Sequence, residues 1–196
     1  TSNNKHPSRC FRVLPRELRL PRMLPRVPHL FTHIFKKDKK DRKRIVVAAT
    51  GASGLPILKM CLQIIREDSD YESILILSDS AKITLQQETK DTVEEIEALA
   101  DQVCDTKDIG AGPASGSFRT EGMLIVPCSM KTVAGIHSGY ADNLILRAAD
   151  VTIKEQRTLV LAARETPLSA IHLRNLSELA TIPGVRIIPP MMTFYH

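Results

Sequence analysis

Short runs of apolar residues recur along the chain, alternating with segments of helical spacing. Ile45-Val46-Val47-Ala48-Ala49 is wholly apolar, and Ser73-Ile74-Leu75-Ile76-Leu77 and Met123-Leu124-Ile125-Val126 are nearly so. Thr158 to Ala163 and Val185-Arg186-Ile187-Ile188 complete the set. A strand with no polar alternation must be covered on both faces, as in a parallel sheet flanked by helices. Residues 55–66 place Leu55, Leu58, Leu62 and Ile65 on one helical face. Further helical patterns cover about 80–88, 93–103, 130–137, 141–155 and 168–181. Strand–helix alternation predicts parallel strands joined by right-handed crossovers, hence an α/β doubly wound sheet in three layers. The 196 residues suit one domain with a sizeable core. With 4% aromatics and no Trp, that core must be aliphatic.

Residues 1–43 have a different character. Arg9, Arg12, Arg16, Arg19, Arg22 and Arg26 recur every three or four positions, and Pro15, Pro21, Pro25 and Pro28 interrupt any long helix. Residues 1–44 hold fourteen Lys and Arg against three acids, whereas the remainder is acidic by six charges. The net charge of +5 therefore belongs to the leader, and a nucleic-acid reading would rest on the leader alone. We expect 1–43 to be a disordered Pro/Arg-rich leader or a gene-model artefact, with a transit peptide as the functional reading. Localisation follows: cytoplasmic in the first case, mitochondrial in the second. Cys10, Cys61, Cys104 and Cys128 show no CxxC spacing, so neither a zinc site nor a disulfide framework is expected, and a reducing compartment fits. No apolar run approaches the ~20 residues needed to cross a bilayer.

Ligands of such sheets bind beyond the carboxyl ends of the strands. Five segments fall at these ends or on the helix before one. Thr50-Gly51-Ala52-Ser53-Gly54 is a plain tight turn or a loop whose free N–H groups and Ser53 hydroxyl hold an anion. It matches neither GxGxxG nor a Walker loop. Ser78 reads as a helix cap or a ligand contact. In Pro127-Cys128-Ser129-Met130-Lys131-Thr132, Cys128 reads as a buried small hydrophobe, because nothing supplies it with a base. Arg147 and Lys154 stand seven apart, on one face of an unbroken helix, as a phosphate pair or a solvated stripe. Arg164-Glu165 pairs a cation with an acid at a strand end, as a phosphate clamp or a surface ion pair. His172, one helix later, reads as packing or capping.

Taken in order, "RIVVAATGASG", "ASGSFRTEGMLIVPCSMKT", "RAADVTIKE", "RETPLSAIHL" and "IIPPMMTFYH" resemble the UbiX-type flavin prenyltransferases, formerly called phenylacrylic acid decarboxylases. The resemblance covers about 150 residues from Arg44 to the end. It implies a flavodoxin-like or Rossmann-like fold and an enzyme that takes reduced FMN and dimethylallyl phosphate. The prenyl group would join flavin N5 and then C6. The product, prenylated FMN, would serve a separate UbiD-type decarboxylase. The reaction would need no metal, so cationic side chains would stabilise the departing phosphate. Relatives form trimers that assemble into dodecamers, with sites shared between subunits.

Carried over by position, Gly51, Ala52, Ser53, Ser78, Ser129, Met130, Lys131, Thr132 and Arg147 would hold FMN. Ser53 would lie near N5, and Glu88 near the prenyl site. Lys154, Arg164 and Tyr195 would bind the prenyl phosphate, with Glu165 as its proton shuttle. Ser115-Gly116-Ser117 matches a loop that lines the site, often from a neighbouring subunit. Family members continue past "FYH" with a last helix that carries a further phosphate-binding Arg, so that piece of the prenyl-phosphate pocket is expected to be missing here. The related cysteine decarboxylases typically carry a "PASANT"-like motif and an active-site His. The sequence "PASGSFRTEG" argues against them. A direct phenylacrylic acid decarboxylase and a flavin-binding accessory subunit stand as the other readings.

Overall fold

The structure is a computed structural model that describes residues 10–12 and 42–190. The expectations for Tyr195 and for the rest of the leader lie outside those residues. The strands are β1 (Cys10–Arg12), β2 (Lys43–Ala49), β3 (Tyr71–Leu77), β4 (Gln102–Asp105), β5 (Gly122–Cys128), β6 (Thr158–Ala163) and β7 (Val185–Ile187). The helices are α1 (Leu55–Glu67), α2 (Asp79–Glu88), α3 (Val93–Glu97), α4 (Met130–Ser138), α5 (Leu144–Lys154) and α6 (Ala170–Ala180). They form one sheet in the order β1-β4-β3-β2-β5-β6-β7. β1 pairs antiparallel with β4, and all other pairings are parallel. The parallel part has the Rossmann order, and its direction of growth reverses between β2 and β5.

Side chains alternate across the central strands, which splits the core in two. Val46, Ala48, Ile74 and Ile76 face α4, α5 and α6, where they meet Val133, Leu144, Ile145 and Leu179. Val47, Ala49, Leu75 and Leu77 face the opposite way, onto Leu55, Leu58 and Leu62 of α1, Leu85 of α2 and Ile96 of α3. The doubly wound three-layer reading is thereby observed, with an aliphatic core. Local sequence sets the helix starts. Ser78, Thr92, Ser129, Asn143 and Ser169 each accept a backbone N–H from the first turn of α2 to α6 in order. His172 Nδ1 accepts from Ser169 N–H at 3.3 Å, so it completes a capping box, as the capping reading required.

Three expectations need correction. The helix over 93–103 stops at Glu97, and Gln102–Asp105 forms β4. This strand lies under β1 near the sheet edge, where polar residues are tolerated and no apolar run announces it. The apolar run Met123–Val126, expected to be a strand ended by Pro127, runs on to Cys128. Pro127 sits inside β5 after a cis peptide bond, and the pairing with β6 slips between Ile125 and Cys128, where a ladder donor is lacking. Finally, Cys104 is disulfide-bonded, while Cys61 and Cys128 are free. Among the described residues no helix is long and apolar enough to cross a membrane.

Gly122 begins β5, and a Cβ there would stand 2.6 Å from the Thr158 carbonyl oxygen of β6. Gly122→Ala is therefore expected to destabilise the domain by about 1–3 kcal/mol, from overpacking against backbone that cannot rotate away. Urea unfolding of the variant and the wild type checks this.

Candidate functional site

The crevice opens where the sheet reverses, and Thr50 ties its two lips together. Its N–H donates to the Pro127 carbonyl at 3.0 Å. Its hydroxyl donates to the same carbonyl at 3.1 Å and accepts from Ser129 N–H at 2.8 Å. Thr50 is 5% exposed, so these bonds are made away from water. They fix the Gly51–Gly54 turn beside the start of α4. A Cβ on Gly51 would collide with Cβ of Ser80, so the turn also packs tightly on the start of α2. The Gly51–Gly54 turn, Ser78 and Ser129 thus lie beside the ends of neighbouring strands.

The chemistry of this turn differs in one respect from expectation. The first N–H groups of α1 are not free. Glu88, the last residue of α2, accepts from Gly54 N–H at 2.9 Å and from Leu55 N–H at 3.1 Å through one carboxylate oxygen. Gly54 has φ of 123° and supplies no side-chain cap, so an outside carboxylate closes the helix and meets its positive end. An external phosphate has no place there. What remains available is Gly51 N–H, Ser53 N–H and the Ser53 hydroxyl, which make no protein hydrogen bond among the described residues. Such donors beside an exposed turn suit the polar edge of a flat ring system held close to the backbone.

Ser78 and Ser129 are caps first. Ser78 Oγ accepts from Ala81 N–H at 3.0 Å, and Ser129 Oγ lies 3.2 Å from Thr132 Oγ1. The Ser78 hydroxyl keeps its proton for another acceptor, and Ser129 shares a hydroxyl contact in which either oxygen can donate. Met130 and Thr132 are buried, and Lys131 is exposed. Cys128 is fully buried at the floor, and burial pushes its thiol up to about 12. It stays protonated and serves as packing, in line with the sequence reading.

Arg164 follows β6 on the same side. Its N–H donates to the Cys128 carbonyl at 3.0 Å, so it adjoins Ser129. Its guanidinium meets only Thr166 Oγ1, at 3.4 Å, and no carboxylate among the described residues. Glu165 is exposed and accepts from Thr166 N–H at 3.0 Å. Among the described residues, the crevice rim therefore holds a cation with no carboxylate partner, next to an exposed acid.

Lys154 is elsewhere. α5 is unbroken from Leu144 to Lys154, as expected, but it delivers Lys154 to the amino end of β6. Arg164 leaves the carboxyl end of the same strand. Six strand residues separate the two ends by roughly 20 Å. Lys154 Nζ instead contacts Glu155 at 2.6 Å and would lie 3.0 Å from a Cβ on Gly116. The lysine bond holds the exposed Glu155 carboxyl below its ordinary range. Arg147 is intermediate, donating to the Ala114 carbonyl at 3.2 Å and to Asp150 at 2.7 Å. One chain thus does not unite Lys154 and Ser115-Gly116-Ser117 with Arg164 and Ser53. The signal was present in the order of the elements, since a residue just before a parallel strand and one just after it lie at opposite ends of the sheet. Thr50 and the capping role of Glu88 were missed because both depend on contacts made across the fold.

Comparison with known proteins decides the affiliation. The Flavoprotein family model matches residues 33–195. Flavin prenyltransferase LpdB of Lactiplantibacillus plantarum is 54% identical over 154 residues, covering 79% of this chain and 82% of its own. The chain belongs to the UbiX-type flavin prenyltransferases. A dodecameric FMN-dependent UbiX-like decarboxylase from Escherichia coli O157:H7 superposes with a TM-score of 0.75 at 49% identity, covering 78% of this chain and 82% of that one. A UbiX protein in complex with FMN and dimethylallyl pyrophosphate does so with 0.72 at 50%, covering 78% and 80%. Among the described residues, no group of His, Cys, Asp and Glu is placed to hold a metal ion.

A groove of about 330 Å³ also opens between α4 and α5, lined by Ile136, His137, Tyr140, Leu146 and Ile153. Its histidine is engaged by Glu178 at 2.5 Å, and none of the crevice residues reaches it.

The protonated state of Cys128 is directly testable. N-ethylmaleimide at pH 8 is expected to leave Cys128 unmodified in the native protein and to label it after unfolding in guanidinium. Peptide mass spectrometry reads both states.

Proposed function

We propose that this flavin prenyltransferase joins the dimethylallyl group of dimethylallyl phosphate to N5 and C6 of reduced FMN and releases phosphate. The observation that carries this reading is the pairing, at the β2/β5 reversal, of the unoccupied donors of Gly51 and Ser53 with the uncompensated Arg164. Reduced FMN would lie along the Gly51–Ser53 turn, with Ser78, Ser129, Met130, Lys131 and Thr132 around it and Ser53 near N5. FMN supplies the nucleophilic ring atoms. The protein supplies position and charge. Arg147 would reach the flavin site from a helix whose amino end meets Thr106, just beyond β4. Arg164 neutralises the leaving phosphate as its bond to the prenyl carbon lengthens, and Tyr195 adds a hydrogen bond to it. Glu165 hands a proton to the phosphate. Glu88 shapes the turn by closing α1.

Lys154 completes the phosphate pocket from another copy of the chain. Its position at the opposite end of the sheet, together with Ser115-Gly116-Ser117, supports a site shared within an oligomer, trimer-based and up to a dodecamer. The dodecameric relative has such an assembly available. A UbiD-type decarboxylase is the proposed user of the product.

Anaerobic incubation with reduced FMN and dimethylallyl phosphate is expected to yield a flavin heavier by one prenyl unit. FMN binding without that species would overturn the proposal in favour of a flavin-binding accessory protein. Release of carbon dioxide from a phenylacrylic acid would instead favour direct decarboxylation. Lys154→Ala and Glu165→Gln are each expected to lower kcat/KM at least tenfold. Subunits of the two variants, dissociated and reassembled together, should recover part of the activity, because some sites then combine an intact Lys154 with an intact Glu165. No recovery from a confirmed mixed oligomer would place both groups in one chain.

A further inference from the structure

The segment 112–120 joins β4 to β5 across α5, and its anchoring is unusually one-sided. Arg157, which precedes β6, grips it from beneath. One guanidinium nitrogen donates to the Gly116 carbonyl at 2.8 Å. The other donates to the Phe118 carbonyl at 3.0 Å and to Thr120 Oγ1 at 3.2 Å. The Arg157 side chain is 16% exposed, so these bonds are largely shielded from water. Gln156, just before it, has φ of 56°, a left-handed turn that directs the chain from α5 into β6. The Phe118 ring lies under the Arg44 guanidinium at 4.6 Å and fills the space that a side chain on Gly112 would need. Arg147 holds the upstream end at Ala114. Ser115, Ser117 and Arg119 are left exposed, with the two serine hydroxyls 2.9 Å apart. Gly116 lies so close to Lys154 and Glu155 that any side chain would displace their ion pair.

We propose that Arg157 is the positioning residue that holds Ser115-Gly116-Ser117 and Lys154 as one preformed surface for the prenyl-phosphate end of the site. This rests on the reading that these groups serve the crevice of another copy. Three diverging acceptors need a planar fork, which arginine has and lysine lacks. Because Arg157 acts through the loop, it affects the prenyl donor and spares the flavin turn at the other end of β6.

Arg157→Ala, Arg157→Lys and Thr120→Val test this in the full-length chain, with oligomer size confirmed for each. Arg157→Ala is expected to raise KM for dimethylallyl phosphate at least tenfold while its dissociation constant for FMN stays within twofold. Arg157→Lys should rescue less than half of that loss, and Thr120→Val should show a smaller rise of the same kind. A KM within twofold of wild type in Arg157→Ala would overturn the inference. So would a parallel loss of FMN affinity and assembly in Arg157→Lys and Thr120→Val, which marks a general support. Should Arg157→Ala fail to fold, the other two variants carry the test alone. Absence of prenylation in the wild type sinks the functional reading and this inference with it. Prenylation by the wild type with an unchanged KM in the variants sinks this inference only.

Discussion

Everything at the site depends on the reversal of the sheet between β2 and β5. On either side of that line the crossover helices take opposite faces, so the two central strand ends have no helix over the gap between them. A gap of this kind would splay if its lips were free. Thr50, at the end of the β2 lip, prevents this with one buried hydroxyl that donates to Pro127 and accepts from Ser129 on the β5 lip. The turn that follows inherits its position from that bond, and so does the cap at Ser129.

Charge is distributed by the same framework. The crevice holds Arg164 with no counter-ion among the described residues, while the far end holds the Lys154–Glu155 ion pair beside Arg157, which is bonded to the 112–120 segment. β6 is the spacer between them. If Lys154 and Arg164 serve one anion pocket, as proposed, a single chain cannot close it on itself, because a strand is inextensible. The proposed site then requires a second copy of the chain.

Much of this was legible in the residues. Ile45–Ala49 and Ser73–Leu77 announce buried strands because no polar position interrupts them, and Leu55, Leu58 and Leu62 announce the face of α1. β4 was illegible for the opposite reason. Gln102-Val103-Cys104-Asp105 is polar at both ends, and an apolar pair beside a helical stretch reads as more helix. The Gly51–Ser53 turn could be found from its residues, but its partner Glu88 lies over thirty residues away, and its hydrogen bonds run to backbone that leaves no mark in the sequence. Arg157 was hidden likewise, since two of its three acceptors are carbonyls. Side chains that speak to side chains leave patterns, and those that speak to backbone do not.

The carboxylate that closes α1 has a consequence for selectivity in a crowded cell. Helix amino ends in folds of this type attract free phosphate, nucleotides and other common anions. Here that berth is filled by a tethered acid from the neighbouring helix. The abundant anions of metabolism therefore find the end of α1 already occupied, and the donors left at Gly51 and Ser53 suit a ligand with a hydrogen-bonding edge more than a bare phosphate.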